Sequence, residues 1–196
     1  MCNGHCFSLN YSLQKMGEKI IYKNYTWFFL LLILILNIAF DQISKYIVRI
    51  EISDYEHIVL IKDFFTLTKV ENSGAFLSLG DNMPYIFRLI ILTGLPLLFL
   101  AYGLYYLFSN PNLPGSMQIA LSFLIGGGIG NLYDRIVHGS VTDFMHMNFH
   151  IFQTGVFNIA DISIMIGVGI LFIQSVRSKL TVTTSASPNN DGESVH

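Results

Sequence analysis

Residues 25–48 read YTWFFLLLILILNIAFDQISKYIV. A helix that crosses a bilayer needs about 20 mostly apolar residues, because the hydrocarbon is about 30 Å thick and each residue rises about 1.5 Å. This stretch qualifies, from Tyr25 through Trp27, the Leu30 to Leu36 run, Ile38 and Phe40. It then passes into Asp41-Gln42 in unbroken helical register. Asp41 and Lys45 lie four apart with the acid first, the favourable order for an ion pair on one helix face.

Working outward, three further windows have the same character: about Tyr85 to Phe108, Met117 to Val137, and Val156 to Ser175. Pro96 inside the second is tolerable, because neighbouring helices in a bundle re-satisfy a freed carbonyl. The whole chain of 196 residues is 52% hydrophobic and 12% charged, with a mean hydropathy of +0.53. That is more apolar surface than one soluble core hides. The expected fold class is therefore an all-α membrane protein of four transmembrane helices.

Lys and Arg beside the spans set the orientation, since positive flanks stay in the cytoplasm. Lys15, Lys19 and Lys23 precede the first span, and Arg177 and Lys179 follow the fourth. An even number of spans puts both termini on that side, although Lys45, Arg49, Lys62 and Lys69 count the other way. The first run is long and no small-x-small site follows it, so it reads as a permanent helix and not a cleaved leader.

Residues 1–24 form a cytoplasmic N-terminal extension without an apolar stripe, and Met16 offers a second start. Cys2 and Cys6 there read as incidental reduced thiols. Residues 25–177 make the four-helix domain. Between its first two helices, Ile50 to Leu79 changes to short runs rich in Ile, Val, Thr and Phe, notably His57 to Ile61 and Phe64 to Val70. These predict short strands forming a small extracytoplasmic cap at about 50–80. Residues 178–196, Ser/Thr/Asn-rich with Pro188, read as a disordered cytoplasmic tail.

An ionisable residue at membrane depth is expensive, so its default reading is functional, with a partner expected. Four groups stand out. In the first, Lys45 either neutralises Asp41 or holds a substrate carbonyl or headgroup. The second is Glu71-Asn72-Ser73-Gly74-Ala75-Phe76, which alone is an ordinary turn. The third is GGGIGNLYDR at 126–135 with GSVTDF at 139–144. Its glycines suit close helix packing; Asn131, Asp134 and Arg135 share a face, and Arg135 beside Asp134 reads as an ion pair that also presents donors to a peptide backbone. Asp143 falls eight residues later, in an irregular segment at the membrane surface. The fourth is FNIADISI at 157–164, where Asp161 enters an apolar span as either a helix cap or a reactive group. Asn158, three residues before it, is placed to orient it.

Peptide hydrolysis without a metal or a nucleophilic side chain needs one group to deprotonate water while another protonates the carbonyl oxygen and leaving amine. Two close carboxylates do both, since like charges do not both ionise cheaply and so share one proton. Asp143 and Asp161 lie at the end of an outward third helix and the start of an inward fourth, on one membrane face. Competing chemistries lack residues: there is no His-Glu-x-x-His pair, Ser44 and Lys45 point apart on a helix, and no phosphate-binding Gly-Lys-Ser/Thr follows the glycines.

The four groups, FDQISKYIV, ENSGAF, GGGIGNLYDR with GSVTDF, and FNIADISI, resemble the lipoprotein signal peptidases (signal peptidase II) in order and spacing over roughly Tyr25 to Arg177. The resemblance implies an aspartic endopeptidase of the bacterial inner membrane with Asp143 and Asp161 as its dyad. It implies that Asn72, Asn131, Arg135 and Asn158 position the substrate and that Asp41 and Lys45 support the site. The implied partners are prolipoproteins bearing a diacylglyceryl group on the lipobox cysteine, cut before that cysteine, together with membrane lipids and the inhibitor globomycin. No cofactor, metal or nucleic acid is expected, and the chain is expected to be a monomer. Gly128 stands where the family usually has Ala, and Thr142 where Val is common; neither is expected to touch the chemistry. The other reading of the same residues is a small proton-coupled transporter using Asp161, Asp134 and Arg135 as a relay, which gathering of polar groups at one face disfavours. The paired motifs of presenilin-like proteases are absent.

Overall fold

The computed structural model describes residues 3–54, 56–74 and 84–185. Helix α1, Asn3–Glu51, runs 49 residues without a break, so the N-terminal extension from residue 3 and the first apolar run share one helix. A hairpin follows, β1 (His57–Ile61) and β2 (Phe65–Asn72). The second apolar window is a single rod with a local defect. Its α2 (Tyr85–Leu89) and α3 (Leu95–Ser109) are joined by a π-helical turn, Ile90–Gly94, closed by the Leu95 N–H donating to the Ile90 carbonyl. Pro96 explains the defect: it has no N–H and its ring collides with the carbonyl four residues back, so the turn widens just ahead of it. Helix α4 (Gly115–Val137), strand β3 (Val141–Met147) and helix α5 (Ile159–Ser185) complete the chain.

Among the described residues three helices are long and apolar enough to cross a membrane: Trp27–Glu51, Ile86–Ser109 and Ile159–Ser178. The expected fourth, α4, falls outside that set because Gly, Gln, Ser and Asn dilute its apolar residues. Those residues are where α4 meets its neighbours. A Cβ on Gly127 would overlap the Ala160 carbonyl of α5, and one on Gly130 would overlap the Asp41 carboxylate of α1. Small residues let helix backbones approach where no hydrophobic force drives association, so α4 is the inner helix, contacting α1, α3 and α5. Leu30 and Leu34 of α1, Leu107 of α3 and Ile125 of α4 fill the space between them.

The strands form one antiparallel sheet in the order β1-β2-β3. The two expected strands are thus present, but the third strand of the sheet comes from beyond α4: Asp143, expected in an irregular segment, lies in β3. The alternation that marks a half-buried strand is missing from Val141 to Met145 because all five are buried. Gly139, with φ 78°, takes the left-handed position that ends α4, and the strand begins two residues later. Beneath the sheet, Val48 and Ile52 of α1 pack with Phe144 and Met145, and with Ile159 and Ile162 of α5. At the other end, α5 continues to Ser185, so residues 178–185 of the expected disordered tail are helical. No Gly or Pro falls between Gly169 and Pro188 to stop the helix sooner. The rest of the tail, Met1 and Cys2, and Ala75 and Phe76 of the second motif lie outside the described residues.

Candidate active site

The site is built where β3 doubles back into α5. After β3 the chain returns beside it: the Phe157 N–H donates to the Met145 carbonyl at 2.9 Å, and the Met145 N–H to the Phe157 carbonyl at 2.8 Å. That pairing sets Asn158, the residue before α5, against Asp143. Asn158 is fully buried and touches both expected catalytic acids. Its Nδ2 donates to Asp143 Oδ1 at 2.6 Å, and its backbone N–H donates to Asp161 Oδ2 at 3.1 Å. The Asp161 N–H donates back to Asn158 Oδ1 at 3.0 Å, a reciprocal capping box. Asp161 is therefore a helix-capping residue and a carboxylate at the site at once.

Asn131 and Asn72 complete the setting. Asn131 Nδ2 donates to Asp161 Oδ1 at 2.9 Å, and Asn72 Nδ2 to Asp143 Oδ2 at 2.9 Å. All four carboxylate oxygens are thus held by N–H donors. Asp143 is 4% exposed and Asp161 is half-buried. Burial raises the Asp143 carboxyl from 3.8 to about 6, with the Asp161 charge adding and the Asn72 and Asn158 hydrogen bonds opposing.

Behind the two acids lies a charge-balanced cluster of Asp41, Lys45, Arg49 and Asp134. The expected Asp41–Lys45 pair forms at 2.8 Å with both side chains fully buried. Lys45 Nζ also reaches Asp134 Oδ2 at 2.9 Å and Asn131 Oδ1 at 2.9 Å. The ammonium donates to Asp41 and Asn131 and lies beside the Asp134 carboxylate with its side chain fully buried, so it does not open to solvent. It instead fixes the Asn131 amide: the oxygen must turn to the cation, which turns the nitrogen to Asp161. Asp41 accepts the Ala160 N–H of α5 at 2.9 Å, meeting an orphan donor at the helix start.

The expected Asp134–Arg135 ion pair is not present. Neighbours in a helix point about 100° apart: Asp134 turns to Lys45 and Arg49, while Arg135 Nη2 donates to the Gly74 carbonyl at 3.2 Å. Arg135 Nε is buried and has no acceptor among the described residues.

Two participants escaped the sequence reading. Arg49 counted only as a flanking charge, yet its Nη2 meets Asp134 Oδ1 at 3.0 Å and its Nε meets Thr142 Oγ1 at 2.8 Å. Thr142, expected to be silent, is fully buried and donates to Glu71 Oε1 at 2.8 Å. Arg49 follows Lys45 by four, and that spacing was the one available signal.

A family model described as signal peptidase (SPase) II matches residues 33–177. The lipoprotein signal peptidase of Gloeobacter violaceus is 36% identical over 165 residues, 83% of this chain and 88% of that one. That of Clostridium tetani is 35% identical over 144 residues, 73% and 89% of the two chains. A solved structure described as a bacterial membrane enzyme at 2.3 Å superposes with a TM-score of 0.68 at 27% identity, over 85% of this chain and 93% of that one. A second bacterial membrane enzyme, at 1.9 Å, gives 0.65 at 28% identity, over 74% and 90%.

Proposed function

The chain belongs to the signal peptidase II family, and from that premise we propose that it is an aspartic endopeptidase that cuts prolipoproteins at the outer edge of the bacterial inner membrane. The family makes it a membrane protease that removes signal peptides from prolipoproteins. The finer reading, that Asp143 and Asp161 carry the reaction, is supported above all by Asn158 donating to both.

In this reading a water held between the two carboxylates is the nucleophile. The dyad carries one proton. The ionised member takes a proton from the water as it attacks the scissile carbonyl, while the protonated member gives its own to the developing oxyanion; as the C–N bond breaks, the first passes the water's proton to the leaving amine and the second takes its proton back from the diol hydroxyl, which restores the dyad. The three asparagines keep each carboxylate in a fixed orientation, which saves that ordering cost at the moment of reaction. Arg135, with a buried Nε lacking an acceptor among the described residues, suits a peptide carbonyl of the substrate. Asp41 and Lys45 act through Asn131 and the start of α5.

The substrate is a prolipoprotein with a diacylglyceryl-modified cysteine, cut before that cysteine. A site where helix ends meet a sheet lets a lipid tail enter sideways while the peptide meets water. We assign α4 as a fourth crossing, and both termini to the cytoplasm.

The test is cleavage of a diacylglyceryl-modified prolipoprotein by the wild type, Asp143→Asn and Asp161→Asn, each checked for folding. Each variant should lose at least about a hundredfold to ten-thousandfold in kcat, the usual worth of a positioned acid or base. A folded variant with wild-type kcat would remove that residue from the mechanism.

A further inference from the structure

Strands β2 and β3 are read from both sides. Alternation along a strand sends successive side chains to opposite faces, and the register pairs Asn72 with Val141, Glu71 with Thr142 and Val70 with Asp143. Asn72 and Asp143 therefore share one face and meet at 2.9 Å. Glu71 and Thr142, each one residue away, meet on the opposite face at 2.8 Å.

That second pair is gripped from outside the sheet. Arg49 Nε donates to Thr142 Oγ1 at 2.8 Å, so the hydroxyl has its acceptor role filled and its single proton is committed to Glu71 Oε1. Ser140 Oγ donates to the other Glu71 oxygen at 2.6 Å. The same guanidinium reaches Asp134 on α4 at 3.0 Å. A directed chain thus runs from α4 through Arg49 of α1 and Thr142 of β3 to Glu71 of β2. The ladder also carries a register shift between Leu67 and Val70, next to the Asp143 pairing, where backbone hydrogen bonds alone hold it less firmly.

We propose that Arg49, Thr142 and Glu71 are positioning residues for hydrolysis, a guanidinium–hydroxyl–carboxylate chain that fixes the β2–β3 ladder against α1 and α4 and so sets Asn72 and Asp143 relative to Asp161. This rests on the reading of Asp143 and Asp161 as the reacting acids. None of the three residues touches substrate in this scheme. Thr142 matters through its hydroxyl alone, since Val fills the same volume. Arg49 matters through its geometry, since Lys keeps a charge for Asp134 but presents a single donor atom and cannot span Asp134 and Thr142 together.

The experiment uses the full-length protein in detergent with a diacylglyceryl-modified prolipoprotein, measuring kcat, KM and Tm. Thr142→Val, which breaks the hydrogen bonds to both Arg49 and Glu71, should lower kcat by at least about tenfold, the scale of one charge-assisted hydrogen bond, with KM unchanged. Thr142→Ser should recover most of that loss. Arg49→Lys should lower kcat by a similar factor, and the Arg49→Lys/Thr142→Val double variant should be no worse than the weaker single variant, because both break one chain. Glu71→Ala, at an exposed residue where folding is safe, should also lower kcat several-fold at unchanged Tm. Wild-type kcat in folded Thr142→Val or Glu71→Ala overturns the proposal, as do losses that multiply in the double variant or a Thr142→Ser as impaired as Thr142→Val. Inactive Asp143→Asn beside wild-type Thr142→Val would remove the chain and keep the dyad; an active Asp143→Asn would remove the dyad itself.

Discussion

At the scale of single residues the site is dominated by the energetics of buried charge. Burial raises the Asp143 carboxyl from 3.8 to about 6, so the folded protein holds this proton more tightly than the unfolded chain does. Its contribution to stability is fully present below about pH 4 and is lost as pH rises through about 6, a change of about 3 kcal/mol. Thermal unfolding between pH 4 and 7 should therefore show the wild type losing Tm relative to Asp143→Asn, whose side chain does not ionise. Parallel curves would mean that Asp143 is not the group bearing the cost. If Asp143 is the protonated acid of the proposed reaction, kcat/KM should also fall above about pH 6. The cluster behind Asp143 and Asp161 obeys a different rule: two carboxylates and two cations balance, and removing one partner strands a buried charge. Asp134→Asn leaves Lys45 and Arg49 facing Asp41 alone and should destabilise by about 3–5 kcal/mol, read as a lowered Tm. A Tm equal to that of the wild type would contradict the balance.

At the scale of elements, the glycines of α4 decide how closely it approaches α1 and α5. Gly130→Ala should lower both Tm and activity, by about 1–3 kcal/mol of overpacking in stability, because its Cβ has no room beside the Asp41 carboxylate. Gly115→Ala is the control: nothing lies within 4 Å of a Cβ there, so Tm should stay level or rise. Equal effects at the two positions would refute the packing argument. The helices were legible in the sequence because an apolar run is a local signal, and so was the Asp41–Lys45 pair, whose spacing is set by one helix. β3 was not, because its signal is non-local. Val141 to Met145 read as a strand only once β2 and Phe157 are known to flank it. The partners of Asp134 and the grip of Arg49 on Thr142 were hidden for the same reason, since those residues lie 85 and 93 positions apart.

At the scale of the whole molecule, composition marked a membrane protein at once, but the number of crossings turns on α4, which does not look like a lipid-facing helix because protein surrounds it. Its 23 residues span about 35 Å, enough for the hydrocarbon. Its polar side chains are met within the protein: Gln118 Nε2 donates to the Leu113 carbonyl at 3.0 Å, and Ser122 Oγ to the Gln118 carbonyl at 2.9 Å. Only a short turn separates α3 from α4, and Ile125 lies against Gly103 and shares a core cluster with Leu107, so the two lie side by side; if α3 crosses, α4 should cross back. Asn112 and His138, both exposed, bracket α4. In a cysteine-free background, Asn112→Cys and His138→Cys are reacted in intact cells with a membrane-impermeant maleimide. Four crossings with cytoplasmic termini predict that His138→Cys is labelled and that Asn112→Cys is labelled only after lysis. Labelling of both in intact cells, or of neither, would put the two ends of α4 on one side of the membrane and leave the chain with three crossings and its termini on opposite faces.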